Sequence, residues 1–137
     1  MRIMMDIRRL ADDFSVSPQI SVEDVQTLRD AGFRSIICNR PDGEAAGQPD
    51  VELIRNEALK LDMEFRFLPA VSFPELERQA VETAKLLPDL AKPVFAYCRS
   101  GTRCTIIWSL MQSGKKPVEE IIAAAAGAGY DVSGLFS

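Results

Sequence analysis

The chain has 137 residues, 47% of them apolar and 26% charged, with a formal net charge of −4. That is ordinary composition for one globular domain, 1–137, and it excludes a disordered or fibrous chain, while the acidic balance argues against a general nucleic-acid binder. No histidine occurs, which removes Ser-His-Asp and Cys-His mechanisms, histidine zinc sites and every His general base.

Phe14-Ser15-Val16-Ser17 alternates and stops at Pro18, predicting a short first strand. Ser21 and Asp24 form a capping-box pattern, opening a helix through Val22, Val25 and Leu28 that ends at Gly32. Phe33 to Cys38, with its continuous Ile36-Ile37-Cys38, predicts a strand buried on both faces. A turn-rich loop from Arg40 to Pro49 follows. Asp50 is the expected cap of the next helix, with Leu53, Ile54, Ala58 and Leu61 as its apolar stripe. Met63 to Phe67 alternates, as a strand near a sheet edge does. Pro74 suits a first helical position, with Ser72 and Glu75 as cap partners; the helix is expected to run to about Leu90, and Pro88 should end or kink it. Val94-Phe95-Ala96-Tyr97 is a second fully buried strand. Helices are expected from about Cys104 to Gln112 and from Val118 to Ala126, with Gly127-Ala128-Gly129 as a helix stop.

Strands alternating with helices predict a parallel α/β sheet covered on both faces, with ligands at the carboxyl ends of the strands. The loops after Cys38, Phe67 and Tyr97 leave from that end, which places Arg40, Asp42, Glu44 and Ser72 near Cys98. No stretch has the length of a membrane span and the first nine residues hold no apolar leader core, so a cytoplasmic location with reduced thiols is expected. Three cysteines, odd in number and widely spaced, fit neither a disulfide framework nor a zinc site. Neither metal nor cofactor is expected.

The chemistry concentrates in Cys98-Arg99-Ser100-Gly101-Thr102-Arg103-Cys104. A buried strand delivers Cys98 to a tight turn, and a helix starts directly behind it. Backbone N–H groups of such a turn form a nest for an anion, and the helix adds roughly half a positive charge there. Arg103 offers a planar fork for oxyanions and Arg99 a second charge. Surroundings of this kind bring a thiol from about 8.5 into the ~3.5–7.5 range. Cys98 is therefore the expected nucleophile, with Arg103 as anion clamp and Arg99, Ser100, Gly101, Thr102 and Cys104 as the anion-binding loop. Arg40, Asp42 and Ser72 are candidate neighbours, although Asp42 and Glu44 also read as turn-formers. Cys38 reads as a buried structural thiol, and Trp108 and Met111 as core. Cys104 is either a resolving thiol or a passive helix-start residue.

The stretch Phe95 to Arg103 resembles the active-site loop of rhodanese sulfurtransferases, in which a Cys-Arg-x-Gly-x-Arg turn carries a persulfide. The order of elements instead resembles the three-layer, mostly parallel fold of dual-specificity, cysteine-dependent phosphatases. In particular, Phe14 to Ile20, Gly32 to Glu44 and the Cys98 loop resemble the bacterial beta-lactamase-hydrolase-like, phosphatase-like domain family, also regarded as sulfur transferases. Phosphatases of this fold place five residues between nucleophile and arginine, where this chain has four. They usually carry His before the Cys, where this chain has Tyr97, and an Asp acid in the loop that here reads Leu68 to Glu75. The resemblance thus implies, first, a rhodanese-type sulfurtransferase forming a persulfide on Cys98. Its alternatives are a phosphatase with a phosphocysteine intermediate and a non-catalytic anion or persulfide sensor. It also implies a small anionic sulfur donor or phosphate-like substrate, and a setting beside a persulfide dioxygenase of metallo-beta-lactamase type. Neither nucleic acid nor membrane is an expected partner.

Overall fold

The computed structural model describes residues 5–137. Part of the leader reading rests on Met1–Met4, which lie outside the described residues. Five short strands form one sheet: β1 (Arg8–Ala11), β2 (Phe14–Ser17), β3 (Ser35–Cys38), β4 (Glu64–Phe67) and β5 (Val94–Tyr97), in the order β1-β2-β5-β3-β4. β2, β5, β3 and β4 run parallel, with Ala96 of β5 opposite both Val16 and Ile37. β1 is antiparallel to β2, with an irregular register between Arg9 and Ala11. The expected first strand is therefore the second. Arg8–Ala11 carries two arginines and no alternation, so its side chains announce an edge rather than a strand.

Five helices cover the sheet: α1 (Val22–Asp30), α2 (Val51–Lys60), α3 (Phe73–Leu86), α4 (Thr102–Gln112) and α5 (Val118–Gly127). The two-residue period of β5 divides the core. Phe95 and Tyr97 pack with Val25 and Leu28 of α1 and Ile54 and Ala58 of α2. Val94, Ala96 and Cys98 pack on the other face with Trp108, Ile121 and Ala125. Leu76 and Ala80 of α3 meet Ile107 and Met111 of α4 in a third cluster. Each large apolar side chain so buried contributes roughly 1.5–3 kcal/mol. β4 lies at the sheet edge as its alternation implied, with Phe65 buried and Phe67 exposed.

Both capping boxes form, Ser21 with Asp24 and Ser72 with Glu75. Four details depart from the sequence expectations. Leu53 is 55% exposed, and Val51 joins Ile54 and Ala58 on the buried side of α2 instead. Asp50 makes no side-chain cap; the Asp42 carboxylate accepts from the Val51 N–H at 2.8 Å in its place. α3 ends at Leu86, with Pro88 inside a 3-10 turn at Leu87–Asp89. α4 begins at Thr102, inside the cysteine loop, so the loop and the helix start are one piece. Among the described residues no helix is long and apolar enough to cross a membrane.

Candidate active site

Cys98 follows β5 at the carboxyl end of the sheet's centre and is fully buried, as is Cys104 six residues on. The backbone from Cys98 bends back on itself, with Gly101 at φ +89° as the residue before α4. That left-handed conformation is open to glycine at little cost. It turns the Gly101 N–H onto Cys98 Sγ at 3.1 Å. The Cys104 thiol also donates to Cys98, which is the largest influence holding the Cys98 thiol down at about 5. Burial opposes this, while the Cys104 and Gly101 N–H groups and the Arg103 charge assist it. The surroundings thus favour a thiolate at neutral pH without a histidine. Full burial, and next the hydrogen bond to Cys98, drive Cys104 up.

The other two thiol neighbours differ. Cys38 ends β3, with its Sγ donating to the Arg40 carbonyl at 3.2 Å, and burial pushes it up to about 11. Tyr97 hydrogen-bonds Cys38, and burial raises its phenol. Tyr97 therefore supplies no histidine-like proton exchange.

Arg103 extends from the first turn of α4. Its Nη1 donates to Glu44 Oε2 at 2.9 Å and to the Ala70 carbonyl at 2.9 Å, and its Nη2 to Glu44 Oε1 at 2.7 Å. Arg40, 4% exposed, donates from Nε to Glu44 Oε1 at 3.0 Å and from Nη1 to Gln19 Oε1 at 3.0 Å. Glu44 therefore links both arginines, and Arg103 foremost holds its carboxyl down to about 2. The loops beneath are tied together too. Asn39 Nδ2 donates to the Leu68 carbonyl at 2.8 Å and the Ala70 N–H to the Asn39 carbonyl at 3.1 Å, which fixes the carbonyl that Arg103 grips. The Gln19 N–H reaches the Arg99 carbonyl at 3.3 Å.

Cys98, Arg99, Ser100, Gly101, Thr102, Arg103 and Cys104 thus lie on one turn, with Ser100 Oγ donating to Thr102 Oγ1 at 2.9 Å. The remaining candidates have other partners. Arg40 grips Glu44 and Gln19. Asp42 caps α2 rather than facing Cys98. Ser72 exchanges hydrogen bonds with Glu75 at the start of α3. Trp108 and Met111 are core. Glu44, placed near Cys98 by the sequence but also legible as a turn-former, is joined to Arg103; sequence reasoning missed Gln19 and Tyr130, whose hydroxyl donates to the Ser100 carbonyl at 2.8 Å. An aromatic directly after the helix-stop Gly129 was a signal for Tyr130; Gln19 had none. Among the described residues no cluster of three or more His, Cys, Asp or Glu side chains is placed to hold a metal ion.

Comparison with known proteins gives the family and the fold. Residues 6–115 match the family described as beta-lactamase hydrolase-like protein, phosphatase-like domain. A beta-lactamase hydrolase-like protein of Agrobacterium fabrum is 32% identical over 103 residues, covering 74% of this chain and 24% of that protein. One from Xylella fastidiosa strain 9a5c is 29% identical over 136 residues, covering 96% of this chain and 30% of that protein. The chain thus spans less than a third of the length of these curated relatives. A crystal structure of a candidate phosphatase from Neisseria meningitidis superposes with a TM-score of 0.85 at 31% identity, covering 96% of this chain and 94% of that one. The catalytic core of the S. cerevisiae PP-IP phosphatase Siw14 shares the fold with a TM-score of 0.65 at 15% identity, covering 98% and 83%.

Proposed function

This chain belongs to the beta-lactamase hydrolase-like, phosphatase-like domain family, and from that premise we propose that it is a cysteine-nucleophile phosphatase. The supporting observation is the Gly101 N–H aimed at a buried Cys98 in front of a helix start. The phosphatase relatives favour this reading over the sulfurtransferase one that the loop resembles in sequence. In the first step the Cys98 thiolate attacks phosphorus, an S–P bond forms, and the P–O bond to the leaving group breaks with its electron pair. Water then cleaves the S–P bond, releasing inorganic phosphate and restoring the thiolate. Loop N–H groups and Arg103 stabilise the equatorial oxygens.

The carboxylates nearby bear on the leaving group. Glu44 is held ionised by Arg103 and Arg40, Asp42 accepts from Val51, and the Leu68–Glu75 segment holds no Asp, its Glu75 carboxylate accepting from Val71 and Ser72 at the start of α3. A site whose carboxylates are all engaged elsewhere suits a leaving group that departs as an anion, such as a phenolate or a phosphate. Alkyl esters should react roughly 10²–10⁴-fold more slowly.

Sulfur transfer is the second reading, favoured by the four-residue spacing and by Glu44 occupying the Arg103 fork. A shorter turn suits a small anionic donor, and a donor that displaces Glu44 from the Arg103 fork finds both guanidinium nitrogens already oriented. A thiosulfate sulfur passes to the Cys98 thiolate and sulfite leaves without an acid.

Phosphate release from an aryl phosphate, a phosphoanhydride and an alkyl phosphate, beside thiocyanate formation from thiosulfate plus cyanide, tests both readings. Expected are turnover of the first two, weak turnover of the third and none in Cys98→Ser. Arg103→Lys, which keeps charge but loses the fork, should lower kcat/KM about 10- to 100-fold. Cyanide-dependent thiocyanate with ~32 Da added at Cys98 and no phosphate release would reverse the ranking.

A further inference from the structure

Tyr130 lies beyond the segment matched by the family, three residues past α5, and is 8% exposed. Its hydroxyl donates to the carbonyl of Ser100 at 2.8 Å. That carbonyl belongs to the same peptide unit as the Gly101 N–H that donates to Cys98 Sγ at 3.1 Å. A trans peptide is planar and its C=O and N–H point in opposite directions. Holding the carbonyl on one side therefore aims the N–H at the sulfur on the other, and the two hydrogen bonds polarise each other.

Close packing enforces the arrangement. A Cβ at Gly101 would fall on the Tyr130 hydroxyl and lie 2.9 Å from its Cζ, so glycine is needed here for space as well as for its φ of +89°. The ring is held in turn by Arg8 of the edge strand. Arg8 Cζ stands 5.0 Å from the ring centroid, and its Nη1 donates to the Ala128 carbonyl at 3.3 Å. Asp6 holds the same guanidinium through Nη2 at 2.8 Å and Nε at 3.0 Å.

We propose that Tyr130 is a positioning residue for Cys98, acting through the Ser100–Gly101 peptide to keep a backbone N–H on the reacting sulfur. Without the hydroxyl the peptide is free to rotate, and rotation brings the Ser100 carbonyl towards a thiolate that it repels. The inference rests on Cys98 being the nucleophile.

The test is the pH dependence of Cys98 alkylation by iodoacetamide, followed by mass mapping, in the full chain and in Tyr130→Phe. Phenylalanine keeps the ring beneath Arg8, and melting curves accompany the rates. In the wild type the inflection should lie near 5. In Tyr130→Phe it should rise by about half to one pH unit, with alkylation at pH 5 slowed about 2- to 5-fold and the alkaline plateau unchanged. The inflection is a ratio of rates within one protein, so it is read below the melting temperature whether or not the variant is less stable. A merely structural Tyr130 would lower the melt and leave the inflection in place, which overturns the proposal. An ordinary thiol inflection in the wild type would overturn the nucleophile reading, and this inference with it.

Discussion

Three cysteines in one small core have three different environments. Cys98 receives N–H and S–H donors and faces Arg103, Cys38 meets a carbonyl and a phenol, and Cys104 is the donor to Cys98. Brief alkylation near pH 6 should therefore mark Cys98 well ahead of Cys38 and Cys104, as peptide mass mapping would show. Cys104→Ala deletes the strongest of the influences on Cys98, so its alkylation inflection should move up by about one pH unit with little change in fold. Glu44 makes a different prediction. Its carboxyl is depressed from an ordinary 4.5 to about 2. The stability it contributes is complete above about pH 4.5 and is lost as the pH falls towards 2. Denaturant melts of Glu44→Gln against the wild type should show a difference at pH 6 that narrows steadily below pH 4.5. A constant difference across that range would mean that the ion pair is not its source.

At the scale of elements, the site depends on how helices begin. α4 opens at a left-handed glycine with no side-chain cap; the Thr102 N–H donates to Ser100 Oγ at 3.4 Å, while the Gly101 and Cys104 N–H groups turn to the sulfur. α2 does take a side-chain cap, but from Asp42 in the preceding loop. That bond anchors the loop carrying Glu44. Asp42→Ala should lower stability by about 0.5–2 kcal/mol in denaturant titrations, as loss of a cap does. It should leave the Cys98 alkylation inflection unmoved, because the carboxylate faces Val51. A shifted inflection would place Asp42 in the site after all. The buried face of α2 makes a companion contrast, since Leu53 faces solvent while Ile54 is fully buried. Ile54→Ala should cost about 2–5 kcal/mol and Leu53→Ala far less.

At the scale of the whole molecule, the site is held from both ends of the chain. Arg8 and Tyr130 clamp the back of the nucleophile loop, and Ile121, Ala125, Tyr130 and Val132 share a core cluster with Cys98 and Trp108. A chain ended after Lys115, where the family match stops, exposes one face of that cluster. Each large apolar side chain lost from it removes roughly 1.5–3 kcal/mol, against a domain stability of about 5–15 kcal/mol. Circular dichroism melts should show a strongly lowered or non-cooperative transition for the shortened chain. A melt equal to that of the full chain would show that α5 and Tyr130 are dispensable to the fold.

The sequence by itself determined what is local. Ile36-Ile37-Cys38 and Val94-Phe95-Ala96-Tyr97 are legible as buried strands because both faces of each are apolar. Ser21 and Ser72 are legible as caps because their partners lie three residues on. The cysteine loop is legible because Cys98, Gly101 and Arg103 fall within six residues between a strand and a helix. Only the tertiary structure decided which distant polar groups meet. Arg103 takes Glu44 across 59 positions and Ser100 takes Tyr130 across 30. β1 is a strand because β2 offers it an edge. Such pairings leave no period in the sequence: a single hydrogen bond selects its partner by position in space, and that position exists only once the sheet has brought its loops to one end.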